Sequence, residues 1–220
     1  MQEENSTLSS DVAHMVKAML RLVDEDKWAL FLAFGLLTLP QIWADVYLSE
    51  QTAFRFSSFM GLAAFIPQIL LIERALFRNN LIENAREERR GYFPRVFGQS
   101  LLAGLAVILG LLALLVPGVV LLVRWSISLP VLIARNEGIT QALRSSWQLT
   151  RGLFWLCLLS MIAAWIPSAL AIVVIIAGAE VFSLTTSSVI IESLLSISLL
   201  LSWLMSVALY QHITSTQKTA

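Results

Sequence analysis

Residues 117–155 read PGVVLLVRWSISLPVLIARNEGITQALRSSWQLTRGLFW, and this stretch places one arginine inside an apolar run. After Arg124 the apolar run continues to Ala134. An amphipathic segment then follows, and a second apolar run begins at Leu153. Alternation of this kind indicates helices that cross a membrane. A charge inside such a helix is costly, so Arg124 requires a partner or a function.

The composition of the whole chain also indicates a membrane protein. Of its 220 residues 57% are hydrophobic and only 14% are charged, whereas about a quarter of the residues of a soluble domain are charged. Mean hydropathy is +0.76. The apolar residues fall in long runs, as in membrane spans. The formal net charge of zero suggests no nucleic-acid partner.

Six apolar runs are candidates for membrane-spanning helices, which need roughly 20 mostly apolar residues. They are residues 28–48, 54–77, 97–116, 119–134, 153–179 and 187–210. The fourth run is short, and Pro117-Gly118 predicts a tight turn between it and the third. We therefore expect an all-α, polytopic membrane protein with about six transmembrane helices and amphipathic interfacial helices.

The distribution of basic residues predicts the orientation. With the N-terminus inside, thirteen Lys and Arg residues lie on the inner side and only Arg55 lies outside, which predicts that both termini are cytoplasmic. The thirteen are Lys17, Arg21, Lys27, Arg74, Arg78, Arg86, Arg89, Arg90, Arg95, Arg135, Arg144, Arg151 and Lys218. One transmembrane domain then covers residues 28–213, with a cytoplasmic loop at 78–96. It lies between a cytoplasmic segment at 1–27 and a tail at 214–220.

The segment 1–27 has the pattern of an amphipathic helix. Its apolar residues recur at helical spacing at Leu8, Val12, Met15, Met19 and Val23. Such a helix either lies on the inner membrane surface or packs on the cytoplasmic face of the protein itself. The pattern leaves both alternatives open.

Residues 139–150 predict a second amphipathic helix, which lies along the inner surface with its apolar face down. Ile139, Leu143 and Trp147 share that face, and Gln141 lies on the polar one. Arginines near this helix would lie at the depth of lipid phosphates, although simple anchoring is the alternative. The candidate contacts with lipid headgroups or the interface are Arg135, Arg144, Trp147 and Arg151.

Arg124, Glu192 and Asp45 are the candidate polar site inside the membrane. Counted from the outer turn, Arg124 and Glu192 lie at similar depth, and Asp45 lies near the outer end of the first span. We expect a direct ion pair between Arg124 and Glu192 that joins the fourth and sixth spans. Two alternatives stay open. One is a polar site for a lipid phosphate, an anionic solute or protons, and the other is an Arg124 that only extends towards the outer surface.

The sequence contains no recognisable catalytic or metal-binding motif. His14 and His212 are far apart in the chain, and Cys157 is a single cysteine in an apolar run, best interpreted as a packed small residue. Neither a His-Glu-x-x-His motif nor a phosphate-binding glycine loop occurs. We therefore expect no metal, no cofactor and no enzymatic activity.

Residues 117–155 resemble a known family. The pattern P-G-x5-R-x5-P and the block GITQALRSSWQLTRGxFW are similar to the membrane domain of some bacterial glycerophosphodiester phosphodiesterases and to the related YciC-like bacterial inner-membrane proteins. The resemblance implies a polytopic domain of the bacterial inner membrane. In the phosphodiesterases catalysis belongs to a separate soluble barrel, for which this chain has no room. The resemblance therefore implies no catalytic residues here.

These observations favour a non-enzymatic module of the bacterial inner membrane that binds lipid or a partner protein in the cell envelope. Its expected partners are membrane lipids with anionic headgroups and a possible membrane protein, with no nucleic acid. The alternative function is a small transporter or lipid translocator that uses Arg124, Glu192 and Asp45.

Overall fold

The computed structural model of this protein describes residues 2–82, 92–178 and 184–219. All regular secondary structure in these ranges is helical, which confirms the all-α prediction. The helices are α1 Gln2–Glu25, α2 Lys27–Tyr47, α3 Glu50–Ala63, α4 Phe65–Arg78, α5 Tyr92–Ala113, α6 Leu115–Arg124, α7 Ser128–Arg135, α8 Ile139–Leu149, α9 Phe154–Ala177 and α10 Leu184–Thr219.

Six helical stretches of the described chain are long and apolar enough to cross a membrane, which confirms the predicted number of spans. They are Lys27–Tyr47, Gln51–Arg78, Phe93–Ala113, Leu115–Arg135, Phe154–Ala177 and Val189–Gln217. The second span consists of α3 and α4, and the fourth consists of α6 and α7. Each of these two spans is interrupted near its middle, at Ala64 and at residues 125–127.

Prolines account for where several helices begin. Pro67, Pro94, Pro117 and Pro130 each occupy the third position of a helix, in α4, α5, α6 and α7 respectively. The first N–H groups of a helix have no partner within it, so a proline in the first turn loses no hydrogen bond. Because a proline cannot donate to the carbonyl four residues before it, the second and fourth spans break just ahead of Pro67 and Pro130.

The turn between α5 and α6 lies at Leu114, so the prediction of a turn at Pro117-Gly118 is wrong. Pro117 and Gly118 both belong to α6. A Cβ added to Gly118 would lie 2.4 Å from Cγ of Leu111 and 2.6 Å from its backbone nitrogen, and one added to Gly110 would lie 3.0 Å from Cα of Gly118. Glycine is needed here for the close approach of two helices rather than for the turn.

The N-terminal helix α1 packs on the protein, chiefly against α10 and α9. Met15, Met19 and Leu22 are buried in the core. Of the two alternatives for this segment, the structure therefore has the helix packed on the protein's own face. The same contact brings the rings of His14 and His212 to a centroid distance of 6.1 Å.

Two helices extend further than the sequence predicted. Helix α10 continues to Thr219, so the predicted tail at 214–220 is helical almost to its end. Helix α5 begins at Tyr92, inside the predicted loop 78–96. Residues 83–91 of that loop lie outside the described residues.

A buried carboxylate fastens the joint between α1 and α2 to the end of α4. Oδ1 of Asp26 accepts hydrogen bonds from Nε of Arg74 at 2.6 Å and from Nη1 of Arg78 at 2.9 Å. The Asp26 side chain is only 1% exposed. Arg78 Nη1 also donates to the backbone oxygen of Glu25 at 2.7 Å. The positive charges of Arg74 and Arg78 therefore both compensate the negative charge of Asp26.

Candidate functional site

Arg124 ends α6, and its side chain reaches the C-terminal end of α8. Its Nη1 donates to the backbone oxygen of Thr150 at 2.5 Å, and its guanidinium carbon lies 5.5 Å from the ring centroid of Trp147. The carbonyls at a helix C-terminus carry partial negative charge, and an aromatic face attracts cations. These contacts compensate part of the Arg124 charge without an acidic partner, whereas its buried Nε has no hydrogen-bond partner among the described residues.

The backbone of Arg124 is held by the same segment. Its carbonyl oxygen accepts a hydrogen bond from Oγ of Ser146 at 2.7 Å and a longer one from Oγ1 of Thr150 at 3.4 Å. A carbonyl in the last turn of a helix lacks an intrahelical donor, so these hydroxyls replace the missing N–H. Arg124 thus joins the apolar and amphipathic parts of residues 117–155 through both its side chain and its backbone.

The expected ion pair between Arg124 and Glu192 is absent from the structure, where neither side chain forms an ion pair with any described residue. Arg124 reaches Thr150, which lies just before α9, whereas Glu192 shares a cavity with Trp165 in the middle of α9. Trp165 lies eleven positions after Phe154, the first residue of α9, which corresponds to about 16 Å of helix. The prediction of direct contact is therefore wrong.

The cause of that error is the arrangement of the helices. Counting residues from a turn estimates the depth of a backbone position, but it reveals neither the neighbours of a helix nor the direction of a long side chain. Helix α6 packs mainly on α5 and α9, whereas α10 packs on α9, α2, α1 and α4 and meets the fourth span through α7. The guanidinium of Arg124 extends towards α8, which does not line the cavity that contains Glu192.

Glu192 and Asp45 are likewise not gathered around Arg124. Glu192 lines a separate cavity of about 430 Å³ between α2, α3, α4, α9 and α10, together with Gln41. Asp45 is exposed near the end of α2 and is not part of the lining of that cavity. The three residues therefore do not form one polar site.

The helix predicted at 139–150 is present as α8, but its buried face differs from the predicted one. Leu143 is buried as expected, and so are Ala142 and Ser146. Trp147 is 40% exposed and lies at the edge of this face, where it contacts Arg124. Helix α8 packs against α7 and α5, so its buried face meets protein.

The basic candidates at the interface have different surroundings. Nη1 of Arg135 lies 3.7 Å from Oε1 of Glu137. Arg144 and Arg151 are exposed, and their side chains form no hydrogen bond or ion pair with any described residue. Arg144 and Arg151 are therefore the two of this group whose charges are available to a ligand.

A cavity of about 650 Å³ lies within the membrane-spanning part, next to the interruption that follows Arg124. Helices α4, α5, α6, α7, α9 and α10 enclose it. Its lining is mostly apolar and includes Trp125, Trp165 and Trp203. Its polar side chains are Gln68, Gln99, Ser100, Ser126, Ser128, Ser202 and Ser206, and none of its described lining residues is charged.

Two polar groups of this lining have no hydrogen-bond partner. The hydroxyls of Ser128 and Ser206 donate to backbone oxygens of their own segments, each at 2.7 Å. By contrast, Oε1 of Gln99 and Oγ of Ser126 are buried without a partner, and Gln99 is only 2% exposed. Nearly all buried polar groups in native proteins are satisfied, so such groups indicate a bound water or ligand.

The sequence contains a signal for this cavity. Gln68 and Gln99 are amides inside apolar runs, where every polar group needs a partner. The residues come from separate spans, however, and only the packing of the helices shows that they face one space. As for metals, no group of three His, Cys, Asp or Glu side chains in the described chain could hold an ion.

Comparison with known proteins gives one family. A family model described as the membrane domain of glycerophosphoryl diester phosphodiesterase matches residues 97–218. The match extends well beyond residues 117–155 and includes most of the lining of the 650 Å³ cavity. No curated protein and no solved structure gave a match.

Proposed function

Because this chain belongs to the family of the membrane domain of glycerophosphoryl diester phosphodiesterase, we propose that it is a non-catalytic module that binds a lipid in the cavity next to Arg124. We place it in the inner membrane of a bacterium, with both termini in the cytoplasm. The thirteen-to-one distribution of basic residues supports this orientation.

The observation that carries the proposal is the cavity itself. Its volume of about 650 Å³ lies in the range of small-molecule sites, which are mostly apolar with a few polar groups that orient the ligand. The buried Oε1 of Gln99 and Oγ of Ser126 are polar groups of this kind. A ligand that enters from the bilayer and pairs with them would satisfy both.

The cavity is accessible from the side. Its lining includes Leu122 of α6 and Ile162 and Ile166 of α9, each 44–47% exposed. These side chains lie in membrane-spanning segments, so the exposed surface faces lipid chains. A bilayer component can therefore reach the cavity between α6 and α9 without crossing water.

The chemistry of the lining supports binding rather than catalysis. Its described residues include five serines but no Asp, Glu, His, Cys or Lys, so the lining offers no side chain of the usual kinds to activate a serine or to act as acid, base or metal ligand. The alternative of a transporter built on Arg124, Glu192 and Asp45 lacks comparable support, because these residues do not share a cavity.

Arg144 and Arg151 supply a second, weaker contact in this proposal. Both are exposed next to the start of α9 and have no described partner. Each basic residue at a membrane surface adds about 1 kcal/mol of attraction to anionic lipid. We assign them to the headgroups of surrounding anionic lipids and not to the cavity.

Lipid retention tests the proposal. The protein is purified in native nanodiscs and then transferred to mild detergent, and the lipid that remains bound is measured by native mass spectrometry. We expect one retained lipid per chain in the wild type and its loss in Ala103→Trp, which adds a large ring at the cavity wall.

Gly104→Trp is the matched control, because an added Cβ at Gly104 meets nothing within 4 Å and the residue does not line the cavity. Its lipid should stay bound. Equal retention in both variants, or no retained lipid in the wild type, would contradict lipid binding in this cavity.

A further inference from the structure

We infer that the cavity takes an uncharged lipid with a free hydroxyl group, such as a monoacylglycerol or diacylglycerol, in preference to a phospholipid. This inference rests on the proposed function and specifies the class of ligand. It depends on the charge of the lining, on the unpaired polar groups and on the exit from the cavity.

The lining offers no counter-charge for a phosphate. Every polar group on the side chains of its described residues is a neutral amide, hydroxyl or indole N–H. Arg124 directly precedes the lining residue Trp125 but does not itself line the cavity. Its Nη1 is bonded to Thr150, its guanidinium lies over the Trp147 ring, and its Nε is buried. An ionised group buried without a partner is strongly disfavoured, so the cavity discriminates against charged headgroups.

The lining groups without a hydrogen-bond partner favour a ligand that carries a hydroxyl group. The unpaired Oε1 of Gln99 accepts hydrogen bonds but does not donate them, so a donor such as a hydroxyl is needed to satisfy this oxygen, and an ester carbonyl could pair only with the amide Nε2. A hydroxyl both donates and accepts, and it would satisfy this amide in either of its two orientations. The Ser126 hydroxyl has one proton to donate, and it can give this hydrogen bond either to an ester carbonyl or to the hydroxyl of the ligand. A glyceride with one free hydroxyl carries both kinds of group.

The shape of the cavity fits such a molecule. The tryptophan rings and aliphatic side chains of the wall suit the apolar part of a glyceride, and the volume of about 650 Å³ admits the glycerol end with the first part of its chains. The rest of the acyl chains would leave through the lateral opening at Leu122, Ile162 and Ile166 into the bilayer. The ligand is thus the uncharged counterpart of the phosphate-bearing compounds in the family description.

A competition experiment tests the inference. The protein is reconstituted in phosphatidylcholine nanodiscs with a photoreactive diacylglycerol, and cross-linking is measured against unlabelled dioleoylglycerol or dioleoyl phosphatidic acid. The two competitors have the same acyl chains and differ in the phosphate. We expect dioleoylglycerol to compete at a concentration at least about tenfold lower than phosphatidic acid, with cross-links mapping to the cavity wall.

Gln99→Leu removes the amide at similar volume and should weaken diacylglycerol cross-linking about tenfold, the factor that corresponds to one hydrogen bond. Gln41→Leu is the control, since Gln41 accepts its hydrogen bond from Ser57 at 2.9 Å and lines a different cavity. Equal or better competition by phosphatidic acid, or an unchanged Gln99→Leu, would overturn the inference and leave lipid binding intact. Absence of specific cross-linking by any lipid would overturn the proposed function as well.

Discussion

Arg124 is a structural residue of the region around α8. Its charge is compensated in part by a helix-terminal carbonyl and an aromatic ring, both from the amphipathic part of residues 117–155. Ser146 and Thr150 in turn satisfy its backbone oxygen. The apolar part and the amphipathic part of residues 117–155 therefore stabilise each other, because each supplies hydrogen-bond partners to polar groups of the other.

Replacing Arg124 by Met should destabilise the protein by about 2–4 kcal/mol, the sum of a charge-assisted hydrogen bond and a cation–π contact. Lys should not restore the loss, because an ammonium lacks the planar surface that stacks on Trp147. Unfolding in mixed detergent micelles measures the change.

Glu192→Gln serves as the control for this prediction. Because the two sites are far apart, its effect should add to that of Arg124→Met without rescue. A double variant more stable than Arg124→Met alone would show that the two charges interact after all.

Asp26 provides a second prediction for a single residue. Its buried carboxylate accepts hydrogen bonds from Arg74 and Arg78, so Asp26→Ala should cost about 1.5–3 kcal/mol of unfolding free energy, the range for hydrogen bonds to charged groups. Asp24 is 87% exposed and its oxygen lies 4.0 Å from Nζ of Lys27. Asp24→Ala should therefore change stability by less than about 1 kcal/mol. Similar losses in both variants would contradict the role assigned to Asp26.

Among the helices, the pair α5 and α6 shows how closely two spans can approach. Their contact is among the most extensive between the described helices, and it depends on glycines that face each other near the turn at Leu114. Small residues have the same role between α9 and α10. Ser160, Ala164 and Ser168 are buried there, and Oγ of Ser168 donates to the backbone oxygen of Leu194 at 3.1 Å. Membrane helices associate through such close packing because lipid provides no hydrophobic force between them.

Gly118→Ala should open the α5–α6 pair. The new methyl group would meet the backbone of Leu111 at 2.6 Å, so the helices must separate. We expect a loss of about 1–3 kcal/mol, as for other overpacked sites. Unfolding in mixed micelles or the melting temperature in detergent measures it.

Gly104→Ala is the matched control in the same helix pair. An added Cβ there has nothing within 4 Å, so stability should stay constant or rise slightly, because alanine favours a helix more than glycine does. A Gly118 variant as stable as this control would show that the close approach is not needed.

At the scale of the whole molecule, the first and last described helices meet. Helix α1 packs along the last part of α10, where His14 lies next to His212. The joint between α1 and α2 is bonded to the end of α4 at Arg74 and Arg78. That both termini lie on the same side of the membrane stays a prediction from the distribution of basic residues.

Labelling of cysteines in intact cells should establish the orientation. We expect Asn80→Cys to resist a membrane-impermeant maleimide and Thr185→Cys to react with it, because basic loops remain in the cytoplasm. The wild type is the control, since its one cysteine, Cys157, is buried. The reverse labelling pattern would invert the proposed topology.

Much of the candidate site was beyond prediction from the sequence. Arg124 was recognised as a residue that needs partners, but those partners proved to be Thr150 and Trp147 instead of Glu192. The role of Gln99 was missed. Its amide oxygen has no hydrogen-bond partner inside a cavity that several helices line, and the sequence does not show which helices face one another. Asp26 was not singled out in the sequence, although its side chain is only 1% exposed and accepts hydrogen bonds from Arg74 and Arg78.

The sequence alone determined the number of spans, their approximate bounds and the presence of α1 and α8. A bilayer requires each crossing segment to be apolar for about 20 residues and to satisfy its own backbone, and both requirements are local. Only the tertiary structure decided which helices are neighbours. The contacts of Arg124, the hydrogen bonds of Asp26 to Arg74 and Arg78, and the cavity all depend on that arrangement. In lipid the apolar faces of helices are chemically alike, so partners are selected by the fit of side chains, which depends on residues far apart in the chain.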